Sequence, residues 1–146
     1  MNYDERKASL EEGELLASIR VRSMKESLEA VGRFNPETAR RRFLDSFVPN
    51  ETTVLLVNAH IIGFYVLQEQ SDNFYLAHLY ILPEFQRFGL GAKVLRSIKE
   101  LAAEKRLKVT VGALKESQSN AFYMKNGFNK THEDEWDVYY EVLPLK

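Results

Sequence analysis

The sequence has 146 residues, of which 45% are hydrophobic and 28% are charged, with a formal net charge of −1 and no cysteine. These values are typical of one globular domain with a substantial apolar core, so we expect a single domain over residues 1–146. The absence of cysteine excludes disulfides, thiolate metal sites and a covalent acyl-cysteine mechanism. The near-neutral charge argues against nucleic acid as a partner, because non-specific binding to nucleic acid requires clustered Lys and Arg.

Membrane and export signals are missing from the pattern. No apolar run approaches the roughly 20 residues that a membrane-spanning helix needs. No hydrophobic signal region follows the polar N-terminal segment of residues 1–7. We therefore expect a cytoplasmic protein that has no membrane partner.

Two helices are predicted near the N-terminus. Apolar residues recur at helical spacing over residues 10–30, and Gly32 supplies a stop. Asn35 and Pro36 have the residue types of an N-cap and a first helical position, and the second helix is predicted to end near Phe47.

Three strands are predicted next. The runs Thr52–Val57 and Ile61–Leu67 are β-rich, and residues 58–60 between them are short enough for a hairpin turn. A third strand, Phe74–Leu82, is stopped by Pro83, which has no N–H to donate to a ladder.

A βαβ unit is predicted in the middle of the chain. An amphipathic helix extends from the loop at residues 84–91 to about Lys105, and Lys108–Ala113 has a strand pattern. This order predicts parallel strands joined by a crossover helix. The remaining predicted elements are a short helix and two strands, at Ser117–Asn126, Phe128–His132 and Trp136–Leu143.

The strongest local signal is the loop Gln86–Ala92, which contains a Gly-x-Gly segment between a strand and a helix. Free N–H groups at a helix N-terminus bind anions, and glycines allow the backbone to approach phosphate oxygens. A tight turn with a purely structural role explains the same sequence equally well. The loop contains no Gly-x-Gly-x-x-Gly fingerprint and no Walker lysine, so neither a nicotinamide cofactor nor ATP is favoured.

Two segments together resemble the Gcn5-related N-acetyltransferase (GNAT) family. Residues 79–91 are similar to its motif of a hydrophobic strand followed by Gln or Arg, two residues, Gly, one residue and Gly or Ala. Residues 121–128 are similar to its Tyr-x-x-x-Gly-Phe segment, and the resemblance covers about residues 52–143. It implies an α/β (α+β) GNAT-like fold, with a mixed, mostly antiparallel sheet, a central βαβ unit and about four flanking helices. The implied activity is direct transfer of an acetyl group from acetyl-CoA to an amine, without a metal.

The resemblance also implies how coenzyme A is held. Main-chain amides from Arg87 through Ala92 would bind the pyrophosphate, and the strand around Leu79 and Ile81 would pair with pantetheine where neighbouring strands splay. Many relatives have Asn and Ala where this chain has Ser117 and Ser119, so the contact of Ser117 stays open. The implied cofactor-binding residues are Leu79, Ile81, Gln86, Arg87, Phe88, Gly89, Leu90, Gly91, Ala92, Ser117, Phe122 and Tyr123.

Two residues are candidates for proton transfer. Tyr123 matches the family's tyrosine that protonates the departing coenzyme thiolate; the alternative is a core aromatic residue beside Phe122 and Phe128. His78 is the candidate base, because its reference pKa near 6.5 suits proton acceptance. A structural histidine is the alternative reading of His78, and Glu69 or an ordered water are alternative bases.

The acceptor is not encoded in a recognisable motif. A small amine, an amino acid, an antibiotic or a protein amine all remain open, as does a homodimer rather than a monomer. Arg20, Arg22 and the run Arg40–Arg42 are candidates to contact a substrate carboxylate or a coenzyme phosphate, with surface solubility as the alternative. The alternative function is a non-catalytic coenzyme A-binding sensor or interaction module on the same fold.

Overall fold

A computed structural model describes residues 1–30, 32 and 34–144. The described chain forms seven strands and four α-helices. The strands are β1 Asp4–Lys7, β2 Thr52–Val57, β3 His60–Glu69, β4 Asn73–Ile81, β5 Lys108–Leu114, β6 Asn129–Glu133 and β7 Asp137–Val142. The helices are α1 Gly13–Ala30, α2 Pro36–Ser46, α3 Leu90–Glu104 and α4 Ser119–Lys125, with short 3-10 helices at Leu10–Glu12, Pro49–Glu51 and Pro83–Phe85.

The strands form one mixed sheet in the order β1-β2-β3-β4-β5-β7-β6. The β1–β2, β2–β3, β5–β7 and β6–β7 ladders are antiparallel, whereas β4 and β5 are parallel. The β4–β5 ladder consists of four pairs, from Asn73↔Lys108 to Leu76↔Val111. The prediction of a mostly antiparallel sheet with a central βαβ unit is therefore confirmed. Among the described helices, none is long and apolar enough to cross a membrane.

Local sequence signals fixed several element ends. Asn58 and Ala59 both have positive φ, 50° and 67°, as a two-residue hairpin turn requires. The Asn35 side chain accepts a hydrogen bond from the Thr38 N–H at 3.0 Å, which confirms the predicted N-cap of α2. α4 begins at Ser119 and not at Ser117 as predicted, because residues 115–118 form a turn.

The first strand, β1, was missed by the sequence analysis. Its four residues, Asp4–Lys7, are all charged and all exposed, so it carries no alternation of apolar and polar residues. It is an edge strand that pairs with β2, and charged residues are usual on such an edge. The Arg6 guanidinium binds both carboxylate oxygens of Glu12, at 2.9 and 2.7 Å, which ties β1 to the start of the first helical segment.

The chain's contacts group into two compact units, and the prediction of a single domain stays a prediction. The first unit contains residues 1–66 and 78–90. Its core is aromatic: the Phe43 ring of α2 lies 5.2 Å from that of Phe64, which lies 5.6 Å from that of Tyr80. Phe43 and Phe64 are both fully buried, so α2 packs on the sheet through this contact.

The second unit contains residues 67–77 and 91–146. One face of α3 is buried, and so are alternate residues of β5, as the helical and strand periods predict. The Lys99 ammonium on α3 donates to the Asn126 carbonyl at 2.6 Å, so it binds the C-terminal end of α4. The buried residues that form this core include Val94, Leu95, Ile98, Ala102, Val109, Val111, Ala113, Tyr123, Phe128 and Tyr140.

Gly63 of β3 lies against the backbone of the end of β4. A Cβ atom on Gly63 would lie 2.3 Å from the Tyr80 carbonyl oxygen and 3.1 Å from the Ile81 Cα atom. The Leu82 N–H donates to the Ile62 carbonyl at 2.8 Å beside this contact. Only glycine permits so close an approach, so Gly63 fixes the position of the last residues of β4.

We expect Gly63→Ala to lower the free energy of unfolding by about 1–3 kcal/mol, because one backbone must move to admit the methyl group. Urea unfolding followed by circular dichroism measures this change. Gly13→Ala is the matched control, since its Cβ would meet only side-chain atoms of Phe47 and Leu44, at 3.2 Å and beyond. A Gly63→Ala protein as stable as the parent would contradict the close approach.

Candidate active site

The segment after β4 makes a compact turn into α3. β4 ends at Ile81, the 3-10 helix Pro83–Phe85 follows, and α3 begins at Leu90. The Gln86 side-chain amide donates to the Ile81 carbonyl at 2.9 Å, which fastens the loop to the end of the strand. One N–H of the Gln86 side chain is therefore used within the loop.

Gly89 provides the change of direction before α3. Its φ of 74° lies in the left-handed region, and a Cβ atom on it would meet nothing within 4 Å. Glycine is therefore needed here for backbone conformation and not for packing. The turn leads directly into the first residues of α3, whose N–H groups have no carbonyl partner within the helix. A 15-residue helix beginning after an open glycine turn can bind an anion with its N–H groups and its dipole.

The predicted loop residues differ in burial. Gln86 through Gly89 are exposed, whereas the Leu90 side chain is 2% exposed and belongs to the core. Leu90 can therefore serve a ligand only through its main chain. Gly91 and Ala92, the next residues of α3, are partly buried.

The candidate base, His78, lies in a polar cluster in the first compact unit. Its Nδ1 atom is 3.3 Å from the Tyr80 hydroxyl, and its ring packs edge-on against Phe43 at 5.8 Å. The Tyr80 hydroxyl also receives the Nε–H of Arg20 at 3.4 Å and lies 3.3 Å from the Met24 sulfur.

Burial sets the protonation state of this cluster. Loss of solvation, with the positive charge of Arg20 as a second cause, lowers the pKa of His78 to about 4. Burial also raises the pKa of Tyr80, which the charge of Arg20 partly opposes. At neutral pH the imidazole is uncharged, which is the proton-accepting state, but it is a weak base.

Glu69, the alternative base, is the last residue of β3 and lies in the second compact unit. Its carboxylate accepts a hydrogen bond from the Lys105 ammonium at 2.7 Å, and both side chains are about half exposed. Glu69 is thus part of a surface ion pair with Lys105.

The candidate acid, Tyr123, is on α4 and is 5% exposed. Its ring lies 5.5 Å from the rings of Phe122 and Phe128 and 6.1 Å from that of Tyr140. The core-aromatic reading is therefore correct for the ring, whereas the acid role of the hydroxyl stays a prediction.

Asn120 is a site residue that the sequence analysis missed. Its side-chain amide donates to the Leu114 carbonyl at 2.9 Å and to the Ser117 carbonyl and hydroxyl at 3.0 and 3.3 Å. Its oxygen accepts from the Tyr140 hydroxyl at 2.8 Å. Asn120 thus fixes the turn that carries Ser117. An Asn at the start of a helix, after a polar turn, is the sequence signal that could have identified it.

The candidate residues are thus divided between the two units. The first unit contains His78, Leu79, Ile81 and the loop from Gln86 to Leu90. The second unit contains Gly91, Ala92, Ser117, Phe122 and Tyr123.

Comparison with known protein families gives one match. Residues 49–130 match the domain model described as "Acetyltransferase (GNAT) domain". This stretch runs from the 3-10 helix Pro49–Glu51 to the start of β6 and contains both motifs singled out in the sequence. No protein of curated function matches the sequence significantly.

Solved structures share the fold over 63% to 99% of the chain. The PaiA N-acetyltransferase of Thermoplasma acidophilum, in complex with coenzyme A, has a TM-score of 0.85 at 22% identity, covering 98% of this chain and 99% of that one. YjaB of Escherichia coli, in its apo form, has a TM-score of 0.79 at 20% identity, covering 99% and 100%. A GNAT family acetyltransferase of Elizabethkingia anophelis with acetyl-CoA bound has a TM-score of 0.56 at 19% identity, covering 63% and 74%.

The lowered pKa of His78 predicts a pH dependence of stability. The folded state disfavours the charged imidazole. The contribution of neutral His78 to the free energy of unfolding is therefore complete above pH about 6.5 and is lost as the pH falls toward 4. This loss amounts to up to about 3 kcal/mol. We expect the unfolding free energy of His78→Gln to fall less steeply than that of the parent over this range. Exposed His60→Gln is the control; parallel curves for the parent and His78→Gln would contradict the burial of His78 as a neutral group.

Proposed function

Because the chain belongs to the GNAT acetyltransferase family, we propose that it is an N-acetyltransferase that transfers acetyl directly from acetyl-CoA to an amine. The observation that carries the proposal is the passage from β4 through the left-handed Gly89 into α3, which lies within the matched domain. Two structural relatives are complexes with coenzyme A or acetyl-CoA, which supports the same cofactor here.

The coenzyme is proposed to bind through the main chain. The N–H groups from Arg87 to Ala92 would bind the pyrophosphate, because the loop is exposed and leads into the positive end of the α3 dipole. The main chain at Leu79 and Ile81 would pair with pantetheine. β4 pairs with β5 only through Asn73 to Leu76, the first four residues of β4. The main chain at Leu79 and Ile81 lies beyond this ladder, which is compatible with pairing to pantetheine.

The proposed chemistry needs two proton movements. The amine, in its neutral form, attacks the thioester carbonyl carbon through its nitrogen. The carbon–sulfur bond then breaks, and the departing thiolate takes a proton from the Tyr123 hydroxyl. The nitrogen must lose a proton, and His78 is the proposed acceptor. Since the pKa of His78 is only about 4, this loss becomes favourable only after bonding to the acetyl carbon has made the nitrogen acidic.

One hydrogen-bond arrangement makes His78 competent for this step. Its Nε2 atom can accept a proton only if Nδ1 carries the ring proton and donates to the Tyr80 hydroxyl, 3.3 Å away. The Tyr80 hydroxyl then donates to the Met24 sulfur, and its oxygen also accepts from Arg20. The opposite tautomer makes Nε2 a donor and removes the base.

Thermal unfolding with acetyl-CoA, coenzyme A and ATP, each added separately, tests the cofactor. A ligand present at about 100 times its Kd adds about 2.7 kcal/mol of stability, which predicts a rise in Tm of roughly 5 to 15 °C at this size. We expect this rise with both forms of coenzyme A and little change with ATP. The absence of a shift at saturating acetyl-CoA would refute coenzyme binding.

The same measurement on Gly89→Ala tests the loop. A non-glycine residue at φ 74° strains the turn, at a cost of about 1–2 kcal/mol, and we expect weaker acetyl-CoA binding. Gly32→Ala is the matched control, because Gly32 has φ 69° and equally open surroundings but lies outside the loop. It should lose similar stability and keep its affinity for acetyl-CoA. Equal losses of affinity in both variants would argue against a loop-specific role.

The acid role of Tyr123 is tested by Tyr123→Phe. We expect kcat with an accepted amine to fall about 10²-fold or more, in line with the usual contribution of a positioned acid. Acetyl-CoA affinity should change little because the ring is retained in its aromatic cluster. Tyr139→Phe is the control, since its hydroxyl bonds to Asp134 in the β6–β7 hairpin and lies on another element. Full turnover in Tyr123→Phe would exclude the acid role. If the parent protein releases no coenzyme A from acetyl-CoA with any amine, the non-catalytic binding module is favoured instead.

A further inference from the structure

Arg20 of α1 is a buried cation. The residue is 9% exposed, and its side chain lies among α1, α2 and the end of β4 in the first compact unit. Its Nη1 atom donates to the Ala39 carbonyl of α2, and its Nε–H donates to the Tyr80 hydroxyl at 3.4 Å. Both acceptors are uncharged.

The charge of Arg20 is therefore not balanced by an acidic side chain. Within the described ranges, the carboxylates that form ion pairs nearby are matched to other arginines: Glu84 to Arg22, and Glu14 and Glu37 to Arg40. Arg20 takes part in none of the ion pairs of the described chain. Burying an unpaired charge is costly, so an anion that completed the pair would bind favourably.

The guanidinium has donors to offer such an anion. A guanidinium carries five N–H donors, and Arg20 uses two of them in the described structure. In the described residues, every fully shielded side-chain nitrogen or oxygen has a hydrogen-bond partner. Among the described residues, the Nη2 atom of Arg20 has no hydrogen-bond acceptor, so this atom is not fully shielded from solvent.

The neighbours of Arg20 are polar but neutral. The Tyr80 hydroxyl and the His78 imidazole form a chain with it. Burial lowers the pKa of His78 and raises that of Tyr80, and the positive charge of Arg20 adds to the first shift and opposes the second. This effect is what a cation without a counter-charge produces. The cluster therefore carries one net positive charge beside the candidate base.

We propose that Arg20 binds the carboxylate of the acceptor, so that the acceptor is an amine that also carries a carboxylate, as an amino acid does. This inference rests on the proposed acetyl transfer, and it names the substrate class. A monoanion matches the single unpaired positive charge, whereas a phosphate dianion would require a second cation. Guanidinium and carboxylate also share a planar geometry that permits two parallel hydrogen bonds.

The rival reading is that Arg20 only ties α1 to α2 and β4. That role uses the two hydrogen bonds to Ala39 and Tyr80 and requires no ligand. The two readings differ in one measurable property: a structural tie gives no preference for acids over amides, whereas a carboxylate site does.

The first test uses the parent protein saturated with coenzyme A. The twenty N-acetyl amino acids and their N-acetyl amides are titrated by calorimetry; these pairs differ in charge and have no free α-amine whose pKa would change. We expect at least one acid to bind about ten-fold or more tightly than its amide, as a hydrogen bond to a charged group implies. If no acid binds better than its amide, the inference is wrong. N-acetyl dipeptides in the same titration distinguish a free amino acid from a peptide carboxyl end.

The second test assigns the preference to Arg20. Arg20→Met should remove the preference for the acid while leaving affinity for the amide unchanged, and Arg20→Lys should retain part of it. Arg6→Met is the control, because Arg6 lies on β1, pairs with Glu12 and has 47% of its side chain exposed. It should keep the full preference. Retention of the preference in Arg20→Met would overturn the assignment; if that variant does not fold, Arg20→Lys and the titration of the parent protein decide.

Failure of this inference can be separated from failure of the proposed function. Release of coenzyme A from acetyl-CoA with amines that lack a carboxylate, together with equal binding of acids and amides, overturns the role of Arg20 alone. Acid-selective binding without acetyl-CoA binding or turnover overturns the proposed acetyl transfer and retains the carboxylate site.

Discussion

The close approach of Gly63 to the Tyr80 carbonyl constrains two candidate regions of the first unit, the polar cluster around His78 and the loop that begins at Gln86. A side chain on Gly63 would come within 2.3 Å of that oxygen, so β3 and the end of β4 can approach only at a glycine. His78 and Tyr80 lie on β4 at or beside this contact, and after β4 the chain turns through the loop into α3. Because interiors are closely packed, a shift of β4 would move the polar cluster and the loop together.

Arg20, Tyr80 and His78 depend on one another electrostatically. Burial alone would keep all three groups neutral, yet an arginine side chain does not lose its proton in proteins. Burial therefore lowers the pKa of His78 to about 4, and the positive charge of Arg20 is the second cause of this shift. A carboxylate bound to Arg20 would offset this charge and raise the basicity of His78. Binding of the acceptor would then make His78 a better proton acceptor.

Tyr123 shows how one residue serves two purposes. Its ring is part of the aromatic core of the second unit, with Phe122, Phe128 and Tyr140, and this packing fixes the ring's orientation. Asn120 adds a polar support, because it joins the Tyr140 hydroxyl to the turn that carries Ser117. A proposed acid that is held by core packing is preorganised, since its ring loses no further freedom when substrate binds.

The sequence by itself determined the elements whose signals are local. The N-cap at Asn35, the turn at Asn58 and Ala59, the βαβ unit and the Gly89 loop all depend on neighbouring residues, and each was predictable; β1 was not, because four charged residues carry no periodicity. The two family motifs also indicated the GNAT fold. Only the tertiary structure decided that Arg20 is buried with no acidic partner among the described residues and that His78 is neutral. Burial and pairing depend on residues far apart in the chain, which spacing along one segment does not encode.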